Sequence, residues 1–298
     1  MDRSSCAAAT WLELDDGFEL MAKAIGPPWE AGLESEWRKR AVGWEQARRE
    51  DLNWEHRWTR CRRQGGDGEV LIHRFTQRAT ALDMCAELSR QAMEDLRQCQ
   101  EDGTAAAMAA SNVGGFHSAR DLWSRSAFQA TGLPSLLIHA VELAACAEGA
   151  VLGRPGIPLT AAGGGNLSGL EAWWNVLSNG AWNTLHTHPG HTYSLVYFVH
   201  TGDADGSQSL AVGAGCLAML PGGPRQLSEE QRAHILHAPR RDSGGAAHAP
   251  GEGPLEDLEY LLIEPEPGTC VIFPSFIPHF VIPSEGLTSY RISIACNI

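Results

Sequence analysis

The chain has 298 residues, an apolar fraction of 43% and a formal charge of −13. Those figures support an ordinary hydrophobic core in one elaborated domain or two small ones. The acidic balance argues against a nucleic-acid partner, whose phosphates it would repel, and the one short basic run, Arg60-Cys61-Arg62-Arg63, reads as a solvated helix face.

Eight cysteines are scattered without a C-x-x-C pair, which suits buried thiols in a reducing compartment. The start, Met1 to Asp16, lacks the basic region and sustained apolar core of a signal peptide, and no run long and apolar enough to span a bilayer follows. The expected location is cytoplasmic or soluble organellar, away from membranes.

Residues 13–63 place Phe18, Leu20, Met21, Ile25, Trp37, Val42 and Trp44 at helical spacing, which predicts two or three helices broken at Gly26-Pro27-Pro28. Gln64–Gly68 reads as a turn and Glu69–Phe75 as a strand, with His73 a core or edge histidine. A helix is expected from Thr76, as N-cap, to about Gln100, packing Ala81, Met84, Leu88, Met93 and Leu96 into the core. Ser111–Ser118 reads as a Gly-centred loop, Ser118 as the cap of a helix starting near Ala119, and residues 133–149 as a helix with Leu136, Leu137, Ala140 and Leu143 inward.

The Gly- and Pro-rich stretch 155–169 reads as a loop, and composition changes there. All ten tryptophans lie at or before Trp182, whereas the remainder is short apolar runs between turn residues: 171–178, 193–200, 208–219, 259–263, 269–273, 278–283 and 290–296. That pattern predicts an all-β sandwich or barrel. Residues 221–258 interrupt it as a long insertion, in which His234, His237 and His248 read as surface residues.

Within the β-rich half, His186 and His188 sit two apart beside an apolar strand, so period-two alternation puts both on one face. His279 follows in a second strand, and three imidazoles from two strands can close a facial site for Fe(II), Zn, Ni or Cu. Arg291 and Ser293 share one face of the last strand, and an inward guanidinium is costly to bury unless an anion meets it. Its planar fork suits a carboxylate.

Ser111-Asn-Val-Gly-Gly-Phe-His-Ser118, Trp173-Trp-Asn175, His186-Thr-His188-Pro-Gly190, Ser194–Phe198, Pro267–Ser275, His279 and Arg291-Ile-Ser293 together resemble the 2-oxoglutarate/Fe(II)-dependent oxygenases, and within them a bacterial and algal family. The resemblance covers about residues 108–298. It implies an α+β chain whose 108–298 segment is a double-stranded β-helix, a jelly-roll like those of cupins and prolyl hydroxylases, behind a mainly helical 1–107 region. In that superfamily one strand ends in His-x-Asp/Glu, a later strand supplies a distal His, and a downstream Arg binds the 5-carboxylate of 2-oxoglutarate.

The expected carboxylate is missing here. With His186 as first ligand, His188 takes its place and the metal has His186, His188 and His279; with His188 first, Gly190 takes its place and two ligands remain. The first arrangement is preferred, and His191 is expected just outside it. The resemblance implies Fe(II), 2-oxoglutarate as co-substrate and O2, with Arg291 and Ser293 on the distal carboxylate and Tyr197 a candidate for either carboxylate. Trp173 and Asn175 share a face that would line a substrate pocket or pack in the core.

The function so implied is hydroxylation, or another oxidation, of a substrate C–H bond, giving succinate and CO2. A redox-inert cupin-type lyase or isomerase would use the same histidines without a carboxylate site, and a non-catalytic binding module needs neither. The substrate class, small molecule or peptide, stays open, and a homodimer is compatible with the sequence.

Overall fold

The structure, a computed structural model, describes residues 7–11, 54–62, 68–77, 81–103, 111–152, 170–202, 214–221, 261–284 and 286–298. The helices expected between residues 13 and 53, the turn at 64–67, the loop at 155–169 and nearly all of the insertion at 221–258 lie outside these residues. The strands are β1 (Ala7–Trp11), β2 (Trp54–Arg62), β3 (Glu69–Gln77), β4 (Asn112–His117), β5 (Glu171–His186), β6 (Tyr193–Thr201), β7 (Leu217–Met219), β8 (Leu261–Ile263), β9 (Thr269–Pro274), β10 (His279–Val281) and β11 (Arg291–Asn297). The helices are α1 (Ala81–Glu101), the short α2 (Ser126–Gln129) and α3 (Leu133–Leu152), with a 3-10 turn at Leu122–Ser124.

The strands form one antiparallel sheet in the order β1-β2-β3-β9-β6-β11-β5-β10-β7-β8, with β4 on β5. The sheet curls into the half-barrel of a double-stranded β-helix, and helices cover one side, an α+β architecture. Alternation along each strand sorts the two faces. Ile292, Ile294 and Cys296 of β11 join Trp174, Val176, Leu195 and Val199 beneath Leu88 and Ala92 of α1 and Leu137 and Val141 of α3. The opposite face turns Leu177, Val196, Phe198, Met219, Val271 and Phe273 into the barrel. Each such fully buried side chain contributes roughly 1.5–3 kcal/mol.

The long strand β5 positions the site. Its first arm, Glu171–Leu177, pairs with β11, and its second arm pairs with β10 at Asn183 and His186. Between the arms Gly180 takes φ +75° and the β4–β5 register slips between Val113 and Gly115. A left-handed glycine makes that bend without the Cβ penalty. The arms fold towards each other, so the Trp173 ring near the start of β5 comes within 5.7 Å of the His188 ring just past its end.

Several local expectations are corrected. Trp54–Arg62 is a strand rather than helix: His56 and Trp58 point inward while Glu55, Arg57 and Thr59 are less buried, a period-two pattern paired residue for residue with β3. Thr76 lies in β3, not at a helix cap, and α1 starts at Ala81, with Cys85 and Ala92 fully inward and Met84 and Met93 at the core edge. Asn112–His117 is strand β4, where Gly115 lies so near β5 that a Cβ would meet Leu177 Cδ2 at 2.5 Å. Ser118 caps no helix; its Oγ donates to Ala119 O and accepts from Trp174 N–H. The described cysteines form no disulfide, and most are buried. No helix among the described residues is long and apolar enough to cross a membrane.

Candidate metal centre and anion pocket

His186 closes β5 directly opposite His279, which opens β10. His188 follows on the turn, held because its backbone N–H donates to Ser275 O at 3.0 Å. The three side chains offer nitrogens that all lie within 4.8 Å of one another. His188 Nε2 stands 3.3 Å from His279 Nε2. His186 Nδ1–H donates to Thr184 O at 2.6 Å and His279 Nδ1–H to Ile277 O at 3.0 Å, which leaves each Nε2 with its lone pair directed at the cluster. His188 Nδ1 lies 3.3 Å from Asn297 Nδ2. That amide is held in turn, its Oδ1 accepting from Ser194 Oγ at 3.1 Å, and Ser194 Oγ meets Ser275 Oγ at 2.9 Å.

Electrostatics keep these imidazoles neutral, which is their ligating form. Burial, then repulsion from His186 and Arg120, holds His188 down to about 3. Burial lowers His186 and His279 as well, the latter further opposed by His186. Converging neutral imidazoles, with Nδ1 of His186 and of His279 held by carbonyls, fit a first-row divalent ion such as Fe(II). Among the described residues no carboxylate belongs to the cluster; Glu171 stands behind it, its Oε2 3.4 Å from Asn297 Nδ2 and 3.8 Å from His191 Nε2.

Deeper in the barrel Arg291 is 1% exposed. Its Nη1 reaches Ser293 Oγ at 3.4 Å, and Nε and Nη2 have no partner among the described residues. The guanidinium lies 5.4 Å over the Phe198 ring. Burial lowers its pKa to about 10, so it is charged at neutral pH. A buried cation with two undirected donors is expensive unless an anion completes it, and the residue types here accept a carboxylate.

The remaining expected residues separate into two groups. Trp173 lies at the centre, 5.7 Å from His188 and stacked 5.2 Å from His117, with Arg120 5.0 Å over its ring. Asn175 sits opposite Ser293 in the β5–β11 pair, is 7% exposed and leaves Oδ1 without a partner among the described residues. His191 pairs with Glu171 at the edge. Tyr197 is elsewhere: it faces the helix layer, its hydroxyl 3.7 Å from Cys85 Sγ, on the side of β6 opposite Phe198. Residues not anticipated from sequence are His117, Arg120, Phe198 and Asn297. Alternation of β11 could have found Asn297, which shares the face of Arg291 and Ser293.

Residues 171–297 match the model of the family described as "Putative 2OG-Fe(II) oxygenase". No curated protein sequence matches the chain. Solved structures similar to it include a Pseudomonas putida prolyl-4-hydroxylase, at 17% identity over 76% of this chain and 90% of that one, with a TM-score of 0.41. A Trichoplax adhaerens prolyl hydroxylase in complex with a hypoxia inducible factor peptide fragment matches at 13% identity over 72% and 77%, with a TM-score of 0.36. The non-heme alpha ketoglutarate dependent carbocyclase SnoK from nogalamycin biosynthesis matches at 12% identity over 76% and 78%, with a TM-score of 0.42. The matched segment carries the three histidines and Arg291, so this part of the chain is similar to the 2OG-Fe(II) oxygenase family.

Proposed function

We propose that the chain is an Fe(II)- and 2-oxoglutarate-dependent oxygenase that hydroxylates, or otherwise oxidises, a C–H bond of its substrate. In the hydroxylation, C–H, O2 and 2-oxoglutarate become C–OH, succinate and CO2. The observation that carries this reading is Arg291, a buried cation with two unpartnered nitrogens in the same barrel as a three-imidazole cluster. A redox-inert lyase or isomerase whose substrate carries no carboxylate would leave that cation unpaired.

In this reading His186, His188 and His279 hold the metal, and Arg291 with Ser293 holds the distal carboxylate of 2-oxoglutarate. Bound Fe(II) supplies the activation of O2. The protein's part is placement. The carbonyls of Thr184 and Ile277 fix the His186 and His279 tautomers, and Asn297 fixes the plane of His188. Phe198 and the apolar barrel wall exclude water from the guanidinium, which strengthens its pull on an anion. Trp173 and Asn175 border the space above, where a substrate would meet the metal.

The decisive measurement is anaerobic titration of the Fe(II)-loaded protein with 2-oxoglutarate, followed by its metal-to-ligand charge-transfer band. A saturable band is expected. Its absence overturns the oxygenase reading in favour of the redox-inert one.

A further inference from the structure

Arg291 is not the only unsatisfied donor in its surroundings. Ser284 is 1% exposed, and its Oγ has no hydrogen-bond partner among the described residues. A buried hydroxyl without a partner carries its full desolvation penalty, so an isolated packing role does not account for a serine here. Its backbone is fixed at both ends: Ser284 N–H donates to Ala181 O at 3.2 Å, and Ser284 O accepts from Gly180 N–H at 2.8 Å, beside the bend of β5.

Gly215 shows where that hydroxyl is aimed. A Cβ placed on Gly215 would lie 3.1 Å from Ser284 Oγ, 3.3 Å from Arg291 Cδ and 3.6 Å from Arg291 Nε. The hydroxyl and the guanidinium therefore border one small space, and glycine keeps it clear. Gly215 is itself anchored, its N–H donating to Ile282 O at 3.1 Å, and its φ of +71° suits glycine alone. Ser293 Oγ approaches the same guanidinium at 3.4 Å. Two hydroxyls and two guanidinium nitrogens, all buried, are a donor set in search of one multi-acceptor anion.

We propose that Ser284 is a third donor of the carboxylate pocket, hydrogen-bonding the anion that Arg291 binds, and that Gly215 is the position whose missing side chain leaves room for it. The proposal rests on the oxygenase reading for the identity of that anion, the distal carboxylate of 2-oxoglutarate. Ser284 is thus a residue that selects a dicarboxylate over a 2-oxo monocarboxylate.

The test measures binding of 2-oxoglutarate and of 2-oxobutanoate, which lacks the distal carboxylate, to Fe(II)-loaded parent and Ser284→Ala proteins by the charge-transfer band. Loss of one hydrogen bond to a charged group predicts a Kd for 2-oxoglutarate raised about ten- to a hundredfold, with 2-oxobutanoate binding and iron affinity within about twofold of parent. Gly215→Ala is expected to lose 2-oxoglutarate binding too, but its φ also strains the fold, so Ser284→Ala is the deciding variant. Unchanged 2-oxoglutarate affinity in Ser284→Ala, while the parent binds it, overturns the role of Ser284 and leaves the oxygenase reading standing. Equal weakening of both ligands overturns it as well, since that is the mark of a structural role. A parent that binds neither ligand removes the oxygenase reading and this inference together.

Discussion

The rim of the barrel and its floor are built on opposite principles. At the rim, His186 and His279 have each spent one ring nitrogen on a backbone carbonyl, and His188 has its Nδ1 against Asn297. What remains on His186 and His279 is a pair of oriented lone pairs. At the floor, Arg291 Nε and Nη2 and Ser284 Oγ are buried without partners among the described residues. In the proposed reading the rim donates electrons to a cation and the floor donates hydrogen bonds to an anion, and 2-oxoglutarate would meet them with its chelating end and its distal carboxylate.

The sharpest way to break this comparison is at the rim. His188→Ala or His279→Ala is expected to abolish tight Fe(II) binding and turnover, whereas His234→Ala or His237→Ala leaves iron near one per chain. Metal analysis after gel filtration decides it, and stoichiometric iron in His279→Ala would remove the site. His186→Ala separates the ligand sets: the three-imidazole cluster predicts as severe a loss as His188→Ala, and near-normal iron would restore the two-histidine alternative.

At the floor the effect should fall on the other ligand. Arg291→Ala is expected to weaken 2-oxoglutarate binding by at least about a hundredfold, through loss of two charge-assisted hydrogen bonds of roughly 1.5–3 kcal/mol each, while iron affinity stays near parent. Arg291→Lys should recover only part, because a point charge does not reproduce the fork. Parent-like 2-oxoglutarate affinity in Arg291→Ala, read from the same charge-transfer titration, contradicts the assignment of the floor.

A smaller effect is expected between the two regions. Asn297→Leu removes the group that faces His188 Nδ1 and should lower metal affinity by about ten- to a hundredfold, as measured by competition with a chromophoric chelator. An unchanged constant would mean that packing alone orients His188.

Acid should act on the buried histidines before Arg291. His56, His73, His186 and His279 are held below their ordinary value of 6.5, chiefly by burial. They are neutral in the folded chain and gain protons on unfolding once pH falls below about 6.5, so stability of the metal-free protein drops with falling pH in that range and is unaffected by them above it. Each group contributes up to about 1.4 kcal/mol per pH unit. Arg291, at about 10, stays charged throughout. Urea midpoints at pH 7.5 and 5.5 check this; equal midpoints would contradict it.

Much of the site was legible because its signals are local. His186 and His188 share a face by alternation, and Arg291 and Ser293 do the same, so each pair could be assigned without knowing where its strand lies. The short apolar runs likewise predicted strands, of which β6, β8, β9, β10 and β11 fall within or beside the expected spans. Failures arose where a local pattern admits two readings. Trp54–Arg62 carries alternating residues in a charged context that resembles a helix, and the pairing with β3 decided for a strand. The Gly114-Gly115 pair looked like a loop, but it is a strand pressed against β5, where Leu177 leaves no space for a Cβ.

By itself, then, the sequence determined residue type, period and order: which side chains of one strand share a face, and that three imidazoles and an arginine occur along β-strands. It left open how far apart those strands lie and which way each side chain of a shared strand faces. Tyr197, one residue from Phe198, went to the helix layer because β6 alternates and its odd face is covered by α1. Asn297 came to His188, and Ser284 to Arg291, because the bend of β5 at Gly180 folds one strand into two facing arms. Contacts across such a bend depend on backbone paths and sheet curl, which no spacing in the chain encodes.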